Sequence, residues 1–213
     1  MPTFAERRAR MVRAQLAKRG ITDVRVLAAL ERVPREEFVA PHLAQEAYED
    51  APLPIGEGQT ISQPYIVAFT VASLGLGGDE RVLEVGTGSG YAAAVLSLLA
   101  RSVYSVERVP TLATTAGVRL ARLGYDNVQV SCSDGSLGWP EHAPYDAIAV
   151  AAVGPQVPSA LLEQLSVGGR LVMPVGPNRS QILMRVTRIG LHRYQEEGLA
   201  DVRFVPLIGA QGF

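Results

Sequence analysis

Apolar and polar positions follow two rhythms along this chain. From Phe4 to Arg19 they recur at helical spacing. Met11, Leu16 and several alanines supply the apolar side, and Arg7, Arg8, Arg10, Arg13, Lys18 and Arg19 the charged remainder. Gly20 ends that helix. Thr22 or Asp23 caps a second one, in which Val24, Leu27, Ala28 and Leu30 recur until Pro34 stops it. Glu36 to Val39 predicts a further turn. Residues 41–58, with Pro52, Pro54, Gly56 and Gly58, predict a long irregular connection of the kind that is functional or covers something. Tyr65, Ile66, Phe69, Val71 and Leu74 then give an apolar side to a helix that opens at Pro64, a residue welcome in a first turn.

The second rhythm begins at Arg81. Short β-favouring runs at 81–85, 103–106, 128–131, 146–150 and 170–175 alternate with helical runs at 90–99, 111–123 and 158–165. Strands alternating with helices predict a parallel sheet with right-handed crossovers. Residues 181–189 and 202–206 predict two further strands, antiparallel at one edge. The expected fold is therefore a doubly wound, mostly parallel α/β sheet of Rossmann type, preceded by helices. At 213 residues the chain suits a single domain, with 1–78 as a helical segment shaping a cleft and 79–213 as the α/β core.

Ligands in such sheets bind at the carboxyl ends of the strands. The run Val82-Leu83-Glu84-Val85-Gly86-Thr87-Gly88-Ser89-Gly90 is a strand, a glycine turn and a helix start. Glycines there permit backbone angles and close approach that a Cβ forbids. The spacing G-x-G-x-G departs from the dinucleotide pattern G-x-G-x-x-G, and a carboxylate at Glu84 suits an ammonium better than a phosphate. Glu107, at the end of the next strand, is placed to accept from both hydroxyls of a ribose. A ribose, an ammonium and no phosphate describe S-adenosylmethionine, and the acid-x-G-x-G-x-G run resembles class I methyltransferases. A purely structural turn is the competing reading.

Three other places carry chemistry. Thr60 and Ser62 lie near the start of the Pro64 helix, where an anion can be held, although capping is the commoner task for such a serine. Asp134 has no helix to cap and no evident partner; it either accepts from an adenine amino group or forms an Asp-Gly turn with Gly135. Arg203 to Leu207 reads as an edge strand, or as one that takes up an extended peptide by strand addition, with Pro206 ending the ladder. His42, His142 and His192 are scattered, and no G-x-S-x-G surrounds Ser62, so a hydrolase elbow is not supported.

Composition narrows the partners. A net charge of -1 argues against general polyanion binding and makes the arginines of the first helix a solvated face. The single cysteine, Cys132, fits a reducing compartment, and no apolar run reaches membrane-spanning length. The expectation is a cytoplasmic monomer that binds neither nucleic acid nor membrane and holds no metal.

Gln59-Thr60-Ile61-Ser62-Gln63-Pro64, the Val82–Gly90 run with Tyr91, Asp134-Gly135 before Gly138-Trp139-Pro140, Tyr145-Asp146-Ala147-Ile148, Gly168-Gly169-Arg170-Leu171 with Pro174-Val175-Gly176, and Val202 to Leu207 occur in this order. Together they resemble the protein-L-isoaspartate O-methyltransferases over nearly the whole chain. The resemblance implies methylation of the free α-carboxylate of L-isoaspartyl residues in damaged proteins and peptides. S-adenosylmethionine is then the donor and S-adenosylhomocysteine the product, and the ester collapses to a succinimide. It implies cofactor contacts at Gln59, Thr60, Ile61, Glu84, Gly86, Thr87, Gly88, Ser89, Gly90, Glu107, Arg108, Asp134 and Gly135. It implies Ser62 as the active-site serine, and substrate contacts at Ser62, Val205, Pro206 and Leu207. An S-adenosylmethionine-dependent methyltransferase of small molecules or RNA is the alternative that the glycine turn allows. Ser166-Val167 stands where the family commonly has Lys-Pro, and the tail after Leu207 is short.

Overall fold

The computed structural model describes residues 2–177 and 180–213. The amino-terminal part is helical. Helix α1 (Phe4–Met11) opens on a capping box between Thr3 and Glu6 and runs through a π turn (Val12–Leu16) and a 3-10 turn (Ala17–Arg19) to Gly20, at φ 95°. Helix α2 (Val24–Arg32) is capped by the Asp23 carboxylate, which accepts from the backbone N–H groups of Arg25 and Val26. A 3-10 turn, Arg35–Phe38, follows Pro34.

The connection expected to be irregular is more ordered than its prolines suggest. It holds a 3-10 turn (Pro41–Glu46) and a small antiparallel hairpin, β1 (Leu53–Gly56) and β2 (Gln59–Ile61). Pro54 fits a two-stranded edge, where a missing N–H costs no central ladder bond. Helix α3 (Pro64–Leu74) follows immediately.

The core elements are β3 (Arg81–Val85), α4 (Tyr91–Ser97), β4 (Ser102–Glu107), α5 (Pro110–Arg122), β5 (Val128–Cys132), β6 (Tyr145–Val150), α6 (Ser159–Gln164), β7 (Leu165–Val175), β8 (Gln181–Gly190) and β9 (Arg193–Val202). Among the described residues, seven strands form one sheet in the order β5-β4-β3-β6-β7-β8-β9. The first five run parallel, and β8 and β9 add antiparallel at one edge. This is the expected mostly parallel doubly wound sheet, with one correction. The last strand is Arg193–Val202, not 202–206. Its central Gln195, Glu196 and Glu197 are exposed, so it lacks the apolar alternation that marks a half-buried strand; such polarity is usual on an exposed edge.

Strands buried on both faces read as continuous apolar runs. The pleat sorts their side chains. Val82, Val103, Ala147, Ala149 and Val172 face the layer holding α3, α4 and the amino-terminal helices. Leu83, Val85, Val106, Ile148, Val150 and Leu171 face the layer holding α6. Glu84 and Ser105 share the parity of Val82 and Val103, which puts both under α3 and α4.

Candidate active site

The carboxyl ends of β3, β4 and β6 meet at one cleft of about 970 Å³, counted to its open mouth. The glycine turn forms its floor. Gly86 and Thr87 donate their N–H groups to the carbonyl of Val106 at 2.8 and 3.3 Å, fastening the turn across β4. Gly86, Gly88 and Gly90 all have positive φ. Gly88 has a second reason to lack a side chain: an added Cβ would sit 3.2 Å from Ile55 Cδ1. The β1–β2 hairpin therefore roofs the turn. Its tip is fastened to the start of α5, where Thr111 Oγ1 donates to Glu57 Oε1 at 2.9 Å.

Glu107 ends β4 and is nearly buried. Its two oxygens accept from the N–H groups of Gly88 (2.8 Å) and Val109 (2.9 Å). A carboxylate offers about four lone-pair positions, so two remain for a diol. This fits the ribose of S-adenosylmethionine.

Most residues singled out in the sequence converge on this cleft. Gln59, Thr60, Ile61 and Ser62 line one wall; Gly86, Thr87, Gly88 and Ser89 line the floor; and Glu107, Arg108, Gly135, Val205, Pro206 and Leu207 complete it. Val109, Ala151, Ala152 and Ile208 also line it. Val109 and Ile208 carry no sequence signal of their own, since an apolar residue after a strand reads the same wherever it points.

Glu84, Gly90 and Asp134 lie outside the lining. The pleat carries Glu84 below the turn, into an apolar pocket behind it that shares Ser62, Val67, Ala92 and Ala151 with the cleft. Ser105, its partner across β4, donates to Glu84 Oε2, while among the described residues the buried Oε1 completes no hydrogen bond of normal geometry, the Ala93 N–H giving the carboxyl its remaining support. Burial pushes the Glu84 carboxyl up to about 8; the Ser105 hydrogen bond opposes the shift and the Glu107 charge adds to it. Gly90 is the cap of α4, and a Cβ there would meet Leu120 of α5 at 3.2 Å, so its task is helix packing.

Asp134 does cap and does have partners. It heads a 3-10 turn, Gly135–Leu137, with Oδ1 accepting from Ser136 N (2.9 Å) and Oγ (2.7 Å) and Oδ2 from Ala210 N (2.7 Å). Burial works to raise its pKa, but the hydrogen bonds from Ala210 and Ser136 and the charge of Arg108 hold it below the ordinary value. The short tail is thereby pinned. Gln211 completes the attachment by accepting from Ser159 Oγ and Ala160 N at the start of α6, a helix with no side-chain cap of its own.

Ser62 is not a cap. Gln63 occupies that position, and the α3 N–H of Tyr65 is served at 3.4 Å by Asp50, which the sequence did not single out. Asp50 also accepts from Gln63 Nε2 at 2.7 Å and pairs with Arg19. The anion at this helix start is thus a residue of the chain. Among the described residues the Ser62 hydroxyl has no hydrogen-bond partner, and Ser62 lines both the cleft and the apolar pocket behind it. Among the described residues, 203–207 make one β-bridge, in which Val153 N donates to Val205 O at 2.9 Å and Leu207 N to Val153 O at 2.8 Å, and Phe204 is held by Gln181, whose Oε1 accepts from Phe204 N at 2.6 Å and whose Nε2 donates to Phe204 O at 3.3 Å.

A family model for protein-L-isoaspartate(D-aspartate) O-methyltransferase matches residues 6–212. The chain belongs to that family. Among similar members is protein-L-isoaspartate O-methyltransferase 2 of Marinobacter nauticus, 59% identical over 95% of this chain and 93% of its own. Another is protein-L-isoaspartate O-methyltransferase 1 of Rhodopseudomonas palustris, 57% identical over 99% and 86%. Similar solved structures include a protein-L-isoaspartate O-methyltransferase at TM-score 0.86 and 32% identity, covering 96% of this chain and 67% of that one. One from Plasmodium falciparum, described in complex with S-adenosyl-L-homocysteine, matches at TM-score 0.82 and 25% identity over 94% and 98%. The family's class I methyltransferase fold is the one described above. Among the described residues no helix is long and apolar enough to cross a membrane.

Proposed function

We propose that this isoaspartyl methyltransferase transfers the methyl group of S-adenosylmethionine to the free α-carboxylate of L-isoaspartyl residues in damaged proteins and peptides. The ester then closes to a succinimide, from which normal aspartyl is partly recovered. The observation that carries the reading is Ser62, which lines the same cleft as the glycine turn and Glu107 and whose hydroxyl has no partner among the described residues. Bound on that turn, the donor supplies an electrophilic methyl on a sulfonium.

The remaining work falls to the chain. A carboxylate at neutral pH is already ionised, so no general base is needed. Ser62 donates to the substrate carboxylate and aims it; the task is alignment and exclusion of water. Glu107 accepts from the ribose hydroxyls, and the β1–β2 hairpin covers the turn. The 1–78 segment shapes the substrate cleft and 79–213 is the donor-binding α/β core, with Gln59–Ile61 reaching from the first to the donor and Val205–Leu207 from the second to the substrate. Val205 to Leu207 spends one backbone edge on Val153, which leaves an extended substrate the opposite edge, where Pro206 offers a carbonyl and no N–H. One exposed cysteine supports a reducing, cytoplasmic setting, in which we take the enzyme to act as a monomer on isoaspartyl proteins.

Methylation of an isoaspartyl peptide beside its normal aspartyl twin, with labelled methyl donor, tests the proposal. Label is expected on the isoaspartyl peptide alone. Equal labelling of both, or of neither, refutes it.

A further inference from the structure

Arg35 is a buried cation for which the chemistry above has no use. It is wholly inaccessible, and among the described residues no carboxylate pairs with it. A buried guanidinium is costly unless its donors are used. Two of them are. Nε donates to the carbonyl of Ala47 at 2.7 Å, and Nη2 donates to the carbonyl of Ser62 at 2.8 Å. The guanidinium packs over Tyr91, with Cζ 4.8 Å from the ring centre. Among the described residues neither Nη1 nor the buried Tyr91 hydroxyl completes a hydrogen bond of normal geometry, although the two side chains lie close enough for each to bear on the other's charge.

These contacts join three segments of the site. Ala47 closes a turn of the connection, Ser62 follows β2, and Tyr91 heads α4 directly after the glycine turn. Tyr91 and Ser62 line the same cleft; Arg35 does not reach it. The tie is to main chain. Ile61 is held by its pairing with Leu53, and the Ser62 carbonyl is held by Arg35, so the backbone sets the direction of the Ser62 side chain while its hydroxyl stays free. A planar fork can hold two carbonyls at once, which a single ammonium on a flexible stem cannot do with the same geometry.

We infer that Arg35 is a positioning residue for methyl transfer, acting through the Ser62 main chain to aim the serine hydroxyl at the acceptor carboxylate. The inference rests on the reading of Ser62 given above. It separates Arg35 from the residues that touch donor or acceptor: it predicts a change in turnover with little change in donor affinity, expressed only while the serine hydroxyl is present.

The test is a double-mutant cycle on kcat with an isoaspartyl peptide, using Ser62→Ala, Arg35→Lys and the pair, with Arg35→Gln as a second probe. S-adenosylhomocysteine affinity is measured for each by calorimetry. Misaim of a reacting group costs on the order of ten- to a hundredfold in rate. Arg35→Lys is therefore expected to lower kcat by about tenfold or more, with homocysteine-product affinity within about twofold of wild type. In the Ser62→Ala background the same change is expected to leave kcat within about twofold, because coupled residues are not additive. Equal losses in both backgrounds, or no loss from Arg35→Lys, overturn the Arg35 assignment alone. A Ser62→Ala variant as fast as wild type overturns the Ser62 reading and this inference with it. If neither Arg35 variant binds S-adenosylhomocysteine, Arg35 serves the fold as a whole and the inference fails.

Discussion

Replacement of Glu107 gives the sharpest test of how the donor is held. Two of its lone-pair positions are spent on the Gly88 and Val109 N–H groups at 2.8 and 2.9 Å. Two remain, and the proposed binding mode gives one to each ribose hydroxyl. Hydrogen bonds to a charged group contribute about 1.5–3 kcal/mol each. Glu107→Ala therefore removes roughly 3–6 kcal/mol, or about 10²–10⁴-fold in affinity at ~1.4 kcal/mol per decade, with the lower end expected because water refills the gap. The isosteric Glu107→Gln is also expected to bind poorly. Each carboxylate oxygen faces a backbone donor, so either placement of the amide NH2 sets donor against donor. Calorimetric titration with S-adenosylhomocysteine measures both losses, and a 2′-deoxy analogue should lose affinity on wild type but little on Glu107→Ala. Unchanged affinity in the alanine variant, or wild-type affinity in the glutamine variant, refutes the assignment.

Two further outcomes follow from the neighbouring residues. Glu84 has its folded pKa raised from 4.5 to about 8, so the folded chain binds its proton more tightly than the unfolded chain does between those values. Stability of the ligand-free protein should then fall as pH rises from about 4.5 to about 8, by on the order of 1 kcal/mol per pH unit from this group, and level off above. Glu84→Gln keeps the neutral form and should flatten that decline in Tm; parallel profiles for the two proteins would show that the carboxyl is not held neutral. Gly135→Ala would place a Cβ 2.5 Å from Val85 Cγ1, at the strand end that carries the glycine turn. Overpacking of this kind costs roughly 1–3 kcal/mol; a lower Tm and weaker S-adenosylhomocysteine binding are expected, and a variant matching wild type in both would contradict the close packing.

The sequence rhythm resolved the sheet because its central strands are buried on both faces and their crossovers are helical. It failed where burial is partial. The β1–β2 hairpin hides behind Pro52, Pro54 and Gly56, and β9 behind its glutamates, because neither presents a clean apolar face. The candidate site was legible wherever a residue type is rare in its surroundings: glycines in a turn, Glu107 after an apolar strand. Glu84 was visible as a residue but not in its direction. Two-residue alternation turns it to the α4 face, and Ser105, at matching parity inside Val103-Tyr104-Ser105-Val106, was the available clue. For Asp134 the local turn was an open reading and its Ser136 contacts lie only two residues on, whereas the contact from Ala210 arrives from far along the chain and left no local trace. Arg35 could not be read at all, since its two acceptors are main-chain carbonyls and every residue carries one.

The hairpin over Gly88 ties two parts of the site together. Ile55 above Gly88, the tip that Glu57 fastens to Thr111, and Ser62 at the exit of β2 lie on one continuous run of chain. The cover of the glycine turn and the serine wall of the cleft are therefore one piece of backbone, and the Arg35-held carbonyl of Ser62 anchors its far end.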